Sequence, residues 1–287
     1  MMRLKDQVAI ITGSSRGIGR AAAILFAQEG ADVVVNYVKD ADAAQKVVEK
    51  IKEMGRRAIA VQADVGNLKD HEKLVNAALN EFGRIDILYH NAAIHYICKT
   101  LDDVTEDVWD WTYNVIVKGP FFLTKRVVPH MLKQGRGNIL FTLTGGIYSV
   151  RPSDWHYLSA KAAVAMLVRV LAGTLAPEIR VNAVMPGTVM TDMFRHHPPE
   201  SWEALAKSAP MGRMATPMDV ARAALWLVSP EAEYITGCVI PVDGGMTACA
   251  SKETMKQILE RLLPGLSLYD SKMYARWLKE ITAGLEF

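Results

Sequence analysis

The chain has 287 residues, half of them hydrophobic, with 33 Lys and Arg against 31 Asp and Glu. That is enough for one large α/β domain with a sizeable core. The formal charge of +2 and the absence of a dense Lys/Arg run exclude a nucleic-acid or anionic-membrane surface as the organising feature. Three scattered cysteines, Cys98, Cys238 and Cys249, form no C-x-x-C and suit a reducing, cytoplasmic setting. The seven histidines show no metal-ligand spacing. The N-terminus reaches its first strand too soon for a signal peptide, and no apolar run approaches a membrane span.

Gln7 to Ile11 predicts a buried strand running into Thr12-Gly13-Ser14-Ser15-Arg16-Gly17-Ile18-Gly19. A small-residue helix follows. Strand, glycine turn and helix together predict a dinucleotide site. Gly13 allows the tight turn, and Gly17 and Gly19 admit close approach of the pyrophosphate to the helix N-terminus. The next strand, Asp32 to Asn36, ends in Asn36-Tyr37 with Lys39 beyond and no acid. An acid there would bond a ribose 2′-hydroxyl and repel a 2′-phosphate. Its absence, with Arg16 in the turn, predicts NADP(H) over NAD(H).

A helix over 41–54 and a third strand, Arg57 to Gln62, lead to Asp64-Val65. Asp64 either bonds an adenine amino group or caps the helix from about Lys69. The fourth strand, Ile85 to Tyr89, runs into His90-Asn91-Ala92-Ala93, where small residues allow a ligand close to the backbone. One long helix is predicted over 105–133, with an apolar face through Val108, Trp111, Val115, Phe122 and Val127. Asn114 in its middle either faces solvent or makes a specific hydrogen bond. The fifth strand, Asn138 to Thr142, ends in Leu143-Thr144-Gly145-Gly146.

Tyr157 and Lys161 then sit four apart in a helix, on one face. The sixth strand, Ile179 to Val184, precedes Met185-Pro186-Gly187-Thr188-Val189-Met190-Thr191. Residues 190–213 read as a lid over a site. A helix opens at Thr216-Pro217, and the seventh strand is Val239 to Val242. The alternation predicts one domain over 1–248, a doubly wound parallel seven-stranded α/β sheet, Rossmann-like, with helices on both faces. Residues 249–287 form a helical C-terminal extension of two amphipathic segments, 251–263 and 271–283.

Thr12-Gly13-x-x-x-Gly17-x-Gly19, Asp64, Asn91-Ala92, Asn114, Tyr157-x-x-x-Lys161 and Pro186-Gly187 with Thr191 occur together and in order. In this the chain resembles the short-chain dehydrogenase/reductase family, over about residues 4 to 248. The resemblance is to the members similar to 3-oxoacyl-carrier-protein reductases and to polyketide or naphthol reductases.

The resemblance implies NADPH-dependent reduction of a ketone to a secondary alcohol, or the reverse, by a homotetramer or dimer. Tyr157 would be the general acid and Lys161 would stabilise its phenolate and bind the nicotinamide ribose. Asn114 would hold a water in a proton relay, and Thr144 stands where the family has Ser. Cofactor contacts would come from Gly13, Ser15, Arg16, Gly17, Ile18, Gly19, Asn36, Tyr37, Asp64, Val65, Asn91, Ala92, Tyr157, Lys161, Pro186, Gly187, Val189 and Thr191.

The expected substrate is a small-molecule ketone or alcohol, mid-sized and partly apolar, and His95, Tyr148, Trp155 and Phe194 are candidate contacts, with Tyr96, Gly146, Met190 and Trp202 around them. Two departures, Thr144 and Ala93 (Gly in the family), leave open a nucleotide-binding regulatory or assembly protein with little activity. Ala93 would be strained if its backbone needed φ > 0.

Overall fold

The structure, a computed structural model, describes residues 2–148, 153–194 and 199–248. The two amphipathic segments predicted beyond residue 248 lie outside the described residues. The strands are β1 (Val8–Ile11), β2 (Asp32–Tyr37), β3 (Ala58–Gln62), β4 (Ile87–His90), β5 (Gly137–Thr142), β6 (Ile179–Pro186) and β7 (Val239–Val242). They form one sheet, parallel at every pairing, in the order β3-β2-β1-β4-β5-β6-β7. The central strands are nearly continuous apolar runs, because helices cover both of their faces.

One face carries α1 (Gly17–Gln28), α2 (Ala41–Glu53) and α8 (Pro217–Val228), packed on Ile11, Val33, Val35 and Tyr89. The other carries α3 (Asp70–Phe82), α5 (Gly119–Lys133) and α6 (Trp155–Leu175), packed on Ile10, Leu88, Phe141 and Val181. At roughly 1.5–3 kcal/mol for each large apolar side chain buried, these two layers hold the sheet. The strand order reverses between β1 and β4. The crevice beyond their C-terminal ends is where such sheets bind ligands.

The helix predicted over 105–133 is two helices. Residues Glu106–Tyr113 form α4, Asn114–Lys118 form a π-helical turn, and α5 follows. The Gly119 N–H donates to the Asn114 carbonyl five residues back. Pro120 has no N–H to continue an α ladder. A Cβ on Gly119 would lie 2.0 Å from the Val65 carbonyl oxygen, so the turn lets this helix press against the loop after β3. The wide turn also shifts the helical phase. The single apolar face therefore does not exist: Val115 and Val127 are buried, whereas Trp111 and Phe122 are exposed.

Within the region read as a lid, residues Asp192–Phe194 make a 3₁₀ turn and Pro199–Ser208 form α7. A cavity of about 230 Å³ lies beside it, lined in part by Leu205, Met211, Met246, Thr188 and Asp243. By length and composition α6 could cross a membrane, at 21 residues with a mean hydropathy of 1.6. In this fold one side of it packs on β6 and the core, while Met166 and Val170 face outward.

Candidate active site

The glycine turn is held from beneath by side chains. Gly13 and Gly17 adopt φ of +62° and +57°, a conformation closed to most residues. The Gly13 N–H donates to Asn36 Oδ1 (3.0 Å), and Asn36 Nδ2 donates to the Ala63 carbonyl (2.9 Å). The Asn36 N–H donates to Ser14 Oγ, and the Ser14 N–H donates back to the Asn36 carbonyl. Asn36 is 1 % exposed. The Asn36 amide is spent inside, tying the turn to β2 and β3, so any contact Asn36 makes with the cofactor runs through its backbone.

Asn91 ties the same turn to β4. Its Nδ2 donates to the carbonyls of Thr12 and Gly13, and the Asn91 and Ala92 N–H groups both donate to Thr12 Oγ1. A Cβ on Gly19 would stand 2.4 Å from the Gly13 carbonyl and 2.6 Å from Asn91 Nδ2. The N-terminus of α1 has neither a side-chain cap nor an acid in its first turn. Its first N–H groups therefore face the crevice as an anion site. Arg16 occupies the cap position and is exposed; Ser15 is buried, and Ile18 packs on the core.

Asp64 does not cap α3. Its Oδ1 accepts from the Gly66 N–H at 2.8 Å, and Asp70 Oδ2 accepts from the Asp64 N–H. Val65 is buried and its carbonyl accepts from His71 Nε2, so any contact it makes runs through its backbone. Tyr37 packs at the end of β2 against the core. On the far side of the crevice, Pro186 ends β6 and Gly187 passes close to Asp243. Val189 is buried and bridges Ala215. Thr191 lies against Gly17, since a Cβ there would stand 3.4 Å from Thr191 Cγ2. The motifs at 13–19 and 186–191, far apart in the chain, thus meet.

Tyr157 and Lys161 lie on the inner face of α6, one turn apart. Lys161 is 3 % exposed and its Nζ donates to the Thr142 carbonyl at 2.6 Å. The same Nζ is 5.8 Å from the centre of the Tyr157 ring. Burial lowers the Lys161 ammonium from its ordinary value to about 8. Among the described residues no carboxylate pairs with it. The π turn that begins at Asn114 packs against α6. Thr144 is half-buried, and its Oγ1 accepts from the Gly146 N–H at 3.2 Å. The Thr144 O–H can still donate.

Ala93 has no positive φ; among the described non-glycine residues only Asp6 does. The backbone there is therefore unstrained without glycine. Burial pushes the His90 imidazole down to about 3, and it bonds Thr124 Oγ1 at 2.8 Å, a neutral structural histidine.

His95 packs edge-on against Tyr157, with ring centres 4.8 Å apart. Its Nε2 is 2.9 Å from Asp154 Oδ1. Trp155 is half-buried in the first turn of α6, and Tyr148 is exposed in the 3₁₀ turn after β5. The Phe194 side chain lies outside the described residues.

Sequence reasoning missed Thr142, whose carbonyl anchors Lys161, and Asp154, which holds His95. The signal for Asp154 was weak: an Asp three residues before Tyr157 reads as a helix N-cap.

The sequence model described as Enoyl-(Acyl carrier protein) reductase matches residues 13–247. A probable tetrahydroxynaphthalene reductase of Zymoseptoria tritici is 38% identical over 255 residues, covering 84% of this chain and 95% of that protein. A versicolorin reductase of Emericella nidulans is 39% identical over 256 residues, covering 85% and 96%. Among solved structures, the reductase LugOII, which catalyses keto-reduction at C1 during lugdunomycin biosynthesis, superimposes with a TM-score of 0.80. It is 34% identical, over 85% of this chain and 99% of that one. With these matches and the Tyr157–Lys161 geometry in place, the chain belongs to the short-chain dehydrogenase/reductase family.

Proposed function

We infer that Tyr157 is the proton donor, and NADP(H) the preferred cofactor, of a ketone reductase. The chain is an NAD(P)-dependent oxidoreductase acting on CH–OH and C=O groups, reducing a ketone to a secondary alcohol or running the reverse. One observation carries the mechanism: Lys161, buried without a carboxylate partner among the described residues, stands beside the Tyr157 ring. A solvated surface lysine would be neither buried nor shifted.

A nicotinamide held there would supply or accept the hydride at the carbonyl carbon. Tyr157 gives its phenolic proton to the carbonyl oxygen, a transfer for which free tyrosine, at about 10, is poorly matched at neutral pH. The Lys161 charge stabilises the phenolate that results. Thr144 donates its O–H to the same oxygen, holding the carbonyl for attack. Asn114, at the π turn against α6, would hold a water in the relay that returns the proton. The turn at 13–19 and the N-terminus of α1 would hold the pyrophosphate, and residues 186–191 would contact the nicotinamide half.

The preference for NADP(H) is supported by exposed Arg16 at the crevice and by Asn36-Tyr37-Val38-Lys39, which puts no carboxylate at the end of β2. Assembly into a tetramer or dimer is supported by the apolar side chains left outside the core on α4, α5 and α6: Trp111, Phe121, Phe122, Met166 and Val170. Cys98 and Cys238, both free thiols, suit a cytoplasmic location. The regulator reading loses one of its two supports, since Ala93 is unstrained.

Replacing Tyr157 by Phe tests the mechanism. Steady-state kinetics on an aryl ketone with NADPH are expected to fall by about 10²–10⁴-fold in kcat, with cofactor binding retained. Full turnover by the variant would sink it.

A further inference from the structure

Asp154 opens α6, a position where Asp ordinarily accepts from the N–H groups of the first helical turn. Here its side chain makes no capping hydrogen bond. Its Oδ1 instead faces His95 Nε2 across the site at 2.9 Å, and both groups are largely buried, with side-chain exposures of 16 % for His95 and 8 % for Asp154. A carboxylate only accepts, so His95 Nε2 carries a proton. In the neutral imidazole that choice puts the lone pair on Nδ1. Among the described residues Nδ1 has no hydrogen-bond partner. The ring that carries it packs against the Tyr157 ring, with centres 4.8 Å apart, so a group close to the carbonyl of a bound ketone comes against it.

We propose that His95, its tautomer fixed by Asp154, accepts a hydrogen bond from a hydroxyl of the substrate, and that the enzyme thereby selects ketones with a hydroxyl close to the reacting carbonyl. The proposal rests on the ketone-reductase reading and adds the substrate class. His95 is the contact and Asp154 the positioning residue. A purely structural pair would hold the loop after β4 against α6 and would not distinguish a hydroxyl from a methoxy group at the same place. The proposed pair does, because a methoxy oxygen has no proton to give to Nδ1.

The test uses the full chain and three matched aryl ketones, with hydrogen, hydroxyl or methoxy beside the carbonyl. Calorimetry gives the Kd of each on enzyme carrying oxidised cofactor, and kinetics give kcat/KM with the reduced form. The wild type is expected to favour the hydroxyl ketone over the other two by about tenfold, the scale of one hydrogen bond in a partly buried site. His95→Phe keeps an aromatic ring against Tyr157 and removes the lone pair, so the preference falls to near unity. Asp154→Asn can donate as well as accept, which frees the tautomer, so the preference falls part-way.

A preference that survives His95→Phe overturns the proposal. So does a wild-type preference for the methoxy ketone, which would mean Nδ1 donates. Selective binding without turnover of any ketone would sink the reductase reading alone. Turnover of all three without preference would sink this inference alone.

Discussion

The two walls of the crevice are built differently. On the cofactor wall the buried polar side chains Thr12, Ser14 and Asn36 all have partners, and most of those partners are backbone groups of the turn and of β2, β3 and β4. On the substrate wall His95 leaves Nδ1 unbonded among the described residues, and Thr188 Oγ1, on the far side of the crevice, is buried with no partner among them. Tyr96, Tyr148 and Met190, candidate substrate contacts from the sequence, are exposed. One wall is closed on itself and can recognise only what fits a fixed backbone. The other holds its hydrogen-bonding capacity in reserve for a ligand. The cost of that reserve is local, and the satisfied wall opposite keeps the scaffold rigid.

The same substitution on each wall breaks or sharpens this contrast. A Cβ on Gly19 meets the Gly13 carbonyl at 2.4 Å, and that backbone is pinned by Asn36 and Asn91. A Cβ on Gly146 meets Leu158 Cδ2 at 2.7 Å, the free end of a flexible side chain. Gly19→Ala is expected to destabilise by about 1–3 kcal/mol and to weaken cofactor binding by roughly 100-fold, through a displaced anion site. Gly146→Ala should cost well under about 1 kcal/mol, because Leu158 can rotate away. Thermal melts and cofactor titration by fluorescence measure both. Equal losses at the two positions would mean that the substrate wall is as rigid as the cofactor wall.

Lys161 stands between the walls and is costly to the fold. Its folded value of about 8 lies below the 10.5 of a free lysine, with burial as the cause. Below pH 8 the side chain is charged folded and unfolded, and the full burial penalty is present. Between pH 8 and 10.5 the unfolded chain still binds a proton that the folded chain has released, so stability rises with pH. Relative to Lys161→Met, the wild type should gain on the order of 2 kcal/mol between pH 7.5 and pH 10, read from urea unfolding of the cofactor-free protein. A flat difference would show that the amine stays charged throughout. Ketone reduction should decline over the lower part of the same range, as the phenolate loses its neighbouring charge.

These walls also differ in how far the sequence discloses them. The parallel sheet and the cradle follow from patterns that recur locally: an apolar strand, a glycine turn, a small-residue helix. Gly13, Gly17 and Gly19 are there because backbone must fit against backbone, and a missing side chain is visible in a sequence. The sequence places Asn36 at the end of β2 and says nothing of where its amide goes. Nothing local says that its amide turns inward to serve Gly13, 23 residues earlier. The break at Asn114 was carried by Gly119-Pro120, a pair poorly suited to a helix interior. What dictates it is the Val65 carbonyl, 54 residues away. The Asp154–His95 bond spans 59 residues with an ordinary helix-cap residue at one end. Long-range pairings of common residue types leave no periodicity to read.

The smallest of these effects concerns Arg16. It is exposed at the N-cap of α1, and nothing in the fold depends on its side chain: it makes no ion pair or hydrogen bond among the described residues. Its replacement therefore leaves the packed cradle alone and reports only on the ligand. If its guanidinium meets the 2′-phosphate, Arg16→Ala removes one charge-assisted contact at a solvated site, worth about 1–1.5 kcal/mol. The KM for NADPH should rise about tenfold while that for NADH changes by less than about twofold, and raising the ionic strength should weaken wild-type NADPH binding more than that of the variant. Parallel rises for both cofactors would place Arg16 on the shared pyrophosphate, leaving the absence of an acid after Asn36 as the sole source of any NADP(H) preference.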